Sequence, residues 1–181
     1  MPTTTGFMTV EQFRQLPETG PYYYELRHGE LVQVTRPKAK HFRVQKRIEQ
    51  LLERAVGDRG VVAMEFAFRA LPEHELRVAD VAFVSKERWE TMDLEDNLRG
   101  APDLVIEVLS PSNTAAEIYD KEKLCLENGC REFWVADSDR RQVKVSTPDG
   151  RTTTYLAGQE IPLEQFAEGT LAVDSIFAVV P

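Results

Sequence analysis

Between residues 40 and 56, His41, Val44, Ile48, Leu51, Leu52 and Ala55 recur at three- and four-residue steps, which predicts a helix with one face turned to a core. Residues 61–69 and 76–84 are rich in β-branched and aromatic side chains, with alternating or continuous apolar positions, and read as strands. Residues 104–109 form an unbroken apolar run of the kind buried on both faces of a sheet. Local signals delimit the remaining elements. Thr9-Val-Glu-Gln12 has the form of a capping box opening a short helix to about Leu16, and His28-Gly29 is a tight turn joining strands over 22–27 and 30–35. Ser110-Pro111-Ser112-Asn113 breaks the chain before a helix over 114–128, which Gly129 closes. Strands are expected over 132–137, 142–147 and 151–156, the last two joined by Pro148-Asp149-Gly150. Residues 88–100 read as polar loop with at most a helical turn, 162–166 as a short helix and 171–180 as an apolar end. Interspersed helices and hairpins without a linker or repeat imply one domain over 1–181, of mixed α/β (α+β) class, around a central sheet.

The chain has 22 basic and 30 acidic residues, a formal charge of −8, which argues against a constitutive nucleic-acid coat protein. No apolar run approaches the roughly 20 residues of a bilayer span. The first residues, MPTTTGFMTVEQF, lack both a basic and an apolar leader region, so a cytoplasmic protein without membrane association is expected. Cys125 and Cys130 support neither a disulfide framework nor a four-ligand zinc site, and buried free thiols are expected.

Three acidic residues stand inside apolar strands: Glu25 in Tyr22-Tyr-Tyr-Glu-Leu-Arg27, Asp80 in Val78-Ala-Asp-Val-Ala-Phe-Val84, and Glu107 in Leu104-Val-Ile-Glu-Val-Leu109. An unpaired buried carboxylate costs several kcal/mol, so each needs a cation, hydrogen-bond donors or a shifted pKa. Taken singly, each could meet an Arg or Lys in an ordinary ion pair. Together they point to a divalent metal as common partner, because Mg²⁺ takes hard oxygen ligands from one or two carboxylates plus water. Asp80 can be brought opposite Glu107 on a neighbouring strand. Asp103, four residues before Glu107 and so roughly 13 Å away along an extended chain, is read as a solvated or capping residue at the start of the strand. Lys123, at the border of the apolar stripe of its helix, is the cationic candidate, and Asp120 and Lys121 read as solvent-facing.

His41 at a helix N-terminus suits an anion, or is a helix-terminal imidazole satisfied by backbone or water. Around it Arg36, Lys38, Lys40, Arg43, Lys46 and Arg47 form a basic segment without an acidic residue, either a phosphate-facing side or an ordinary solvated helix face. Gly-rich phosphate loops, His-Glu-x-x-His and the Gly-x-Ser-x-Gly elbow are all missing from the sequence.

The succession Tyr24-Glu-Leu-Arg-His-Gly-Glu-Leu31, His41, Arg77-Val-Ala-Asp-Val-Ala-Phe-Val84, Pro102-Asp-Leu-Val-Ile-Glu-Val-Leu-Ser-Pro-Ser112, Asp120 with Lys123, and Gly129 followed by Phe133-Trp-Val-Ala-Asp137 resembles the Uma-two family of restriction-endonuclease-like proteins, within the PD-(D/E)XK nuclease superfamily. The resemblance extends from about Met8 to Phe177. It implies a restriction-endonuclease-like core and a Mg²⁺- or Mn²⁺-dependent phosphodiesterase site acting on nucleic acid, with DNA the expected substrate. Carried over, Asp80 and Glu107 become metal ligands, with the Val108 carbonyl as a third. Glu25 assists a second ion or orients water, and Lys123 is the relocated lysine of the motif. His41, Arg36, Lys38, Lys40 and Arg43 would face the phosphates. The sequence departs from the pattern at Ala79, where a proline precedes the Asp, at Leu109, where the lysine normally stands, and at Glu127, where a tyrosine is common. Two alternatives stay open: a catalytically silent module of the same fold that binds DNA or protein, and a structural protein whose buried carboxylates pair with Arg69 or Arg77. Tyr22-Tyr23-Tyr24 and the apolar end are candidate surfaces for a homodimer, and either could equally be core.

Overall fold

The structure, a computed structural model, describes residues 7–17, 23–35 and 38–178. Helix α1 (Val10–Arg14) starts at the expected capping box, with the Thr9 side chain accepting from Gln12 N and the Gln12 side chain accepting from Thr9 N. Strands β1 (Tyr23–Arg27) and β2 (Glu30–Val34) form an antiparallel hairpin of their own. Its turn has φ values of 50° at His28 and 75° at Gly29, the left-handed pair that a two-residue hairpin of this twist requires.

Helix α2 (Ala39–Val56) buries the stripe Val44, Ile48, Leu52 and Val56, and a single 3₁₀ turn leads into β3 (Gly60–Arg69). Strand β4 (Arg77–Ser85), helix α3 (Lys86–Glu90) and strands β5 (Leu98–Arg99) and β6 (Leu104–Val108) follow. Helix α4 (Ala115–Glu127) then crosses to β7 (Glu132–Asp137), and the chain continues through β8 (Gln142–Ser146), β9 (Thr152–Leu156), β10 (Glu160–Pro162), β11 (Thr170–Ala172) and α5 (Val173–Ile176).

Seven strands form one mixed sheet in the order β5-β3-β4-β6-β7-β8-β9. The β3/β5 and β6/β7 pairs are parallel and the rest antiparallel. The α4 crossover accounts for the parallel β6/β7 pair, because parallel strands cannot be joined by a tight turn. One face, lined by Val81, Phe83, Leu104, Ile106 and Trp134, is covered by α2 and the C-terminal segment with α5. The other, lined by Ala82, Val84, Val105, Phe133 and Val135, is covered by α4 through Leu124 and Cys125. Both cysteines are buried free thiols, and burial pushes their pKa values up, that of Cys130 to about 12. Among the described residues no helix is long and apolar enough to cross a membrane.

The structure corrects several expectations. Residues 162–166 are not a helix: Pro162 closes β10, and Leu163 and Phe166 turn into the core. Within the apolar end Leu171, Val173 and Ile176 are buried in the core, and residues 179–181 lie outside the described residues. Tyr22 lies outside the described residues, whereas Tyr23 and Tyr24 are exposed. Asp103 is only 2% exposed, because its carboxylate accepts from Ser85 N and pairs with Arg88 and Arg131. The stretch expected as loop, 88–100, holds the end of α3 and the edge strand β5.

Candidate active site

The β4/β6 ladder runs from Phe83↔Leu104 to Val81↔Ile106, and one further step of that register sets Asp80 opposite Glu107. On the other flank the pairs Met64↔Val81 and Phe66↔Ala79 bracket Glu65 and Asp80. Glu65, Asp80 and Glu107 therefore lie on one line across three adjacent strands. Pairing between β4 and β6 stops short of this line, whereas that between β3 and β4 skips only Glu65 and Asp80 and resumes at Phe66↔Ala79. Glu65 has φ of 50°, a left-handed value that costs a residue with a Cβ about 1–2 kcal/mol. Side chains stand in for ladder bonds here. Val108 N donates to Asp80 Oδ2 (2.7 Å), Asp80 N to Glu107 Oε1 (3.4 Å), and Val78 N to Glu25 Oε1 (3.0 Å).

Helix α4 supplies the cation. Lys121 falls three residues after Ile118 and four before Cys125, on the face packed against the sheet, and is 7% exposed. Its Nζ stands 2.8 Å from Glu107 Oε1 and 4.0 Å from Glu25 Oε1, and donates to the Val78 carbonyl at 2.6 Å. Lys123 does not take this place. Two positions further on, it points to solvent, 61% exposed and 4.0 Å from Glu127, because residues two apart on a helix face different sides. Burial pushes the Glu107 carboxyl up, to about 7, against the pull of Lys121. Burial alone would lower the pKa of Lys121, but Glu107, Glu25 and Asp80 outweigh it and hold the ammonium charged.

Glu25 comes from β1 rather than from the main sheet. Burial would raise its pKa, but Lys121, Arg27 and the Val78 N–H together keep it below the usual range. Arg27 bonds Glu25 at 2.8 Å and Glu117 of α4 at 2.9 Å, and His28 reaches Glu75 and Asp120, each at 2.8 Å. The hairpin is thus tied to the helix that carries Lys121.

From the opposite face α2 contributes His41 and Gln45. His41 Nε2 lies 3.1 Å from Asp80 Oδ2, and although burial acts to lower its pKa, Asp80, Glu65 and Glu107 raise it. This imidazole sits among carboxylates, apart from the exposed Lys38, Lys40 and Arg43. Lys40 pairs with Asp139 at 2.6 Å, and Arg36 lies outside the described residues. Gln45 is fully buried, and its Nε2 donates to Asp80 Oδ1 (2.9 Å) and Glu65 Oε1 (2.5 Å) while its Oε1 has no partner. Arg69 and Arg77 are engaged elsewhere, Arg69 with Asp96 and Glu11, Arg77 with Glu75 and Asp120, so neither neutralises Asp80 or Glu107.

Among the described residues no three His, Cys, Asp or Glu side chains form a ready cage for a metal ion. The gaps between carboxylates are spanned instead by Lys121 Nζ and Gln45 Nε2. The donor set nevertheless suits a hard divalent cation: four carboxylates, including Glu65, with a buried amide oxygen left over.

Three residues at this centre, Glu65, Gln45 and Lys121, are missed by the sequence reading. Glu65, within Val-Val-Ala-Met-Glu-Phe, satisfies the same criterion that singles out Asp80 and Glu107. Lys121 is signalled by its spacing from Ile118 and Cys125. Gln45 gives no comparable signal, since a neutral polar residue in a helix is ordinary.

A crystal structure described as a putative nuclease belonging to DUF820, from Anabaena variabilis ATCC 29413, superposes with a TM-score of 0.80 at 24% identity, over 94% of this chain and 97% of that one. It shares the fold. No curated protein matches. The model of the Uma2 family, described as putative restriction endonuclease, matches residues 10–174, which takes in every strand of the sheet and both helices that meet at the acidic line. By that match the chain belongs to the Uma2 family of nuclease-like proteins.

Proposed function

We propose that this protein is a metal-dependent endonuclease that hydrolyses phosphodiester bonds, with DNA as its substrate. The observation that carries the reading is the Asp80–Glu107 pair, opposite one another where the sheet opens and without an arginine, with the Lys121 ammonium against Glu107. Asp80 and Glu107 would hold Mg²⁺ or Mn²⁺, with the Val108 carbonyl and Glu25 as further oxygen donors. When bound, the ion supplies Lewis acidity and a water of lowered pKa. Lys121 sets a fixed positive charge where negative charge grows on a reacting phosphoryl group, and the low-dielectric surroundings strengthen that effect. Glu25 and the Val78 carbonyl hold its ammonium in position. The exposed Lys38, Lys40 and Arg43 lie on the α2 side and would guide the phosphate backbone toward the acidic line.

One specific observation favours a second reading, a silent module of the same fold. Lys121 Nζ and Gln45 Nε2 already satisfy the carboxylates without an ion. Calorimetric titration of Mg²⁺ and Mn²⁺ into wild type and Glu107→Ala, paired with plasmid nicking, separates the two. The nuclease reading expects metal-dependent nicking and loss of both binding and nicking in the variant. Metal binding by wild type without cleavage of any nucleic acid would leave the module.

A further inference from the structure

We infer that the protein engages DNA as a single strand, with unpaired bases stacked on Phe42 of α2 and Tyr23 of β1, one ring on either flank of the acidic line. This rests on the nuclease reading above and narrows its substrate. The residues that build the site also place the two rings. Glu25 reaches the site from β1, and Tyr23, two positions earlier on the same strand, lies on the same face of the hairpin about 7 Å away. Across the hairpin Val34 pairs with Tyr23 and Val32 with Glu25, so an apolar surface leads outward from the carboxylate. The hairpin is tied to α4 through Arg27 and His28, so this ring stands on an anchored element. On the other flank His41 and Gln45 of α2 point at Asp80. Phe42 follows His41 directly and precedes Gln45 by three, which makes Phe42 and Gln45 neighbours on the helix surface.

Both rings stand half in water, Phe42 at 49% and Tyr23 at 47% exposure, whereas the core rings Phe68, Phe83, Phe133 and Trp134 are at most 2% exposed. A base laid on an exposed ring removes apolar area from water, and any base serves because every base has a π-face. The charges beside Phe42 suit the same ligand. Lys38, at the N-cap of α2, and Arg43, next to the ring, are exposed and form no ion pair among the described residues. Basic side chains interleaved with aromatic rings are the make-up of a single-strand groove, the cations following the backbone and the rings holding the bases. A duplex can meet the cations but not the rings. Its bases stack on one another, and only backbone and groove edges reach a protein surface.

The test is fluorescence anisotropy on the full chain with labelled oligo-dT and a duplex of equal length, with Ca²⁺ in place of Mg²⁺ so that binding is read apart from cleavage. Wild type is expected to bind oligo-dT about tenfold more tightly than the duplex. Phe42→Ala and Tyr23→Ala should each weaken oligo-dT binding about tenfold and leave duplex binding within about twofold. Phe42→Trp should restore the affinity, and its added fluorescence should be quenched by oligo-dT but not by the duplex, which a packing role would not produce. Equal loss on both DNAs, no loss on either, or tighter binding of the duplex would overturn the inference. Tighter binding of oligo-U than of oligo-dT would overturn the choice of DNA. Cleavage with Mg²⁺ keeps the two readings apart. A duplex cut as fast as the single strand, with Phe42→Ala at wild-type rate, refutes stacking and leaves the nuclease standing. If neither DNA is cut, the nuclease reading falls, and the anisotropy still decides whether a single strand is held on these rings.

Discussion

Lys121 and Glu107 meet across the seam between α4 and the sheet, Nζ to Oε1 at 2.8 Å, with each residue 7% exposed. The contact joins the helix to the strand at the point where β4 and β6 cease to pair. Breaking one partner of a buried pair leaves the other uncompensated, at a cost of about 3–5 kcal/mol. Lys121→Met is therefore expected to lower stability by that order in urea unfolding, whereas the exposed Lys123→Met should stay within about 0.5 kcal/mol. Lys121→Gln should also reduce metal-dependent cleavage by about two orders of magnitude or more, with Lys123→Gln at wild-type level. Equal effects at the two positions would refute the assignment.

The pH dependence of the metal-free protein has a defined sign. The Glu107 pKa is raised in the folded state to about 7, from 4.5, so between these values the folded chain holds a proton that the unfolded chain has released. This group's contribution is greatest below the unfolded value and is lost as pH rises through about 7. Melting temperatures of wild type and Glu107→Gln from about pH 5 to about pH 8 should diverge, the variant gaining relative stability with rising pH. Parallel curves would contradict the prediction.

Arg77, 1% exposed, bonds the fully buried Glu75 at 2.6 Å and Asp120 of α4 at 2.9 Å. Arg77→Met takes the guanidinium from the buried Glu75 and leaves it His28 alone as partner, and should cost up to about 3–5 kcal/mol in chemical denaturation. Pairing it with Glu75→Gln should recover much of the loss. A double variant no more stable than the single one would show that packing, rather than charge, dominates at this site.

Lys38, just before α2, and Arg43, within it, are exposed, on a chain of net charge −8. If they meet phosphates, Lys38→Ala and Arg43→Ala should each lower the slope of log affinity for DNA against log salt by about 1. An unchanged slope would move the nucleic-acid path elsewhere.

Much of this architecture is legible in the amino-acid pattern. The α2 stripe, the His28-Gly29 turn, the Thr9 capping box and the apolar 104–109 run all follow from local periodicity and backbone sterics. Asp80 and Glu107 stand out because a charge within an apolar strand demands an explanation. Lys121 is harder to place, since a lysine beside an apolar stripe usually extends its ammonium to water and only the tertiary fold sets a carboxylate beneath it. Glu65 meets that same criterion and could have been found by it, whereas its left-handed φ is a property of the folded sheet that no local pattern carries. The turn at 162–166 is missed because Leu163 and Phe166 fill space in the core at positions that local pattern does not specify.

The acidic side chains that accept the amides of Val78, Asp80 and Val108 are also fasteners of the fabric they interrupt. Neutralising Glu25, Glu107 or Asp80 weakens a chemical group and a stitch at the same moment. Deuterium uptake at those three amides is therefore a direct gauge of whether the acids are in register, independent of any turnover.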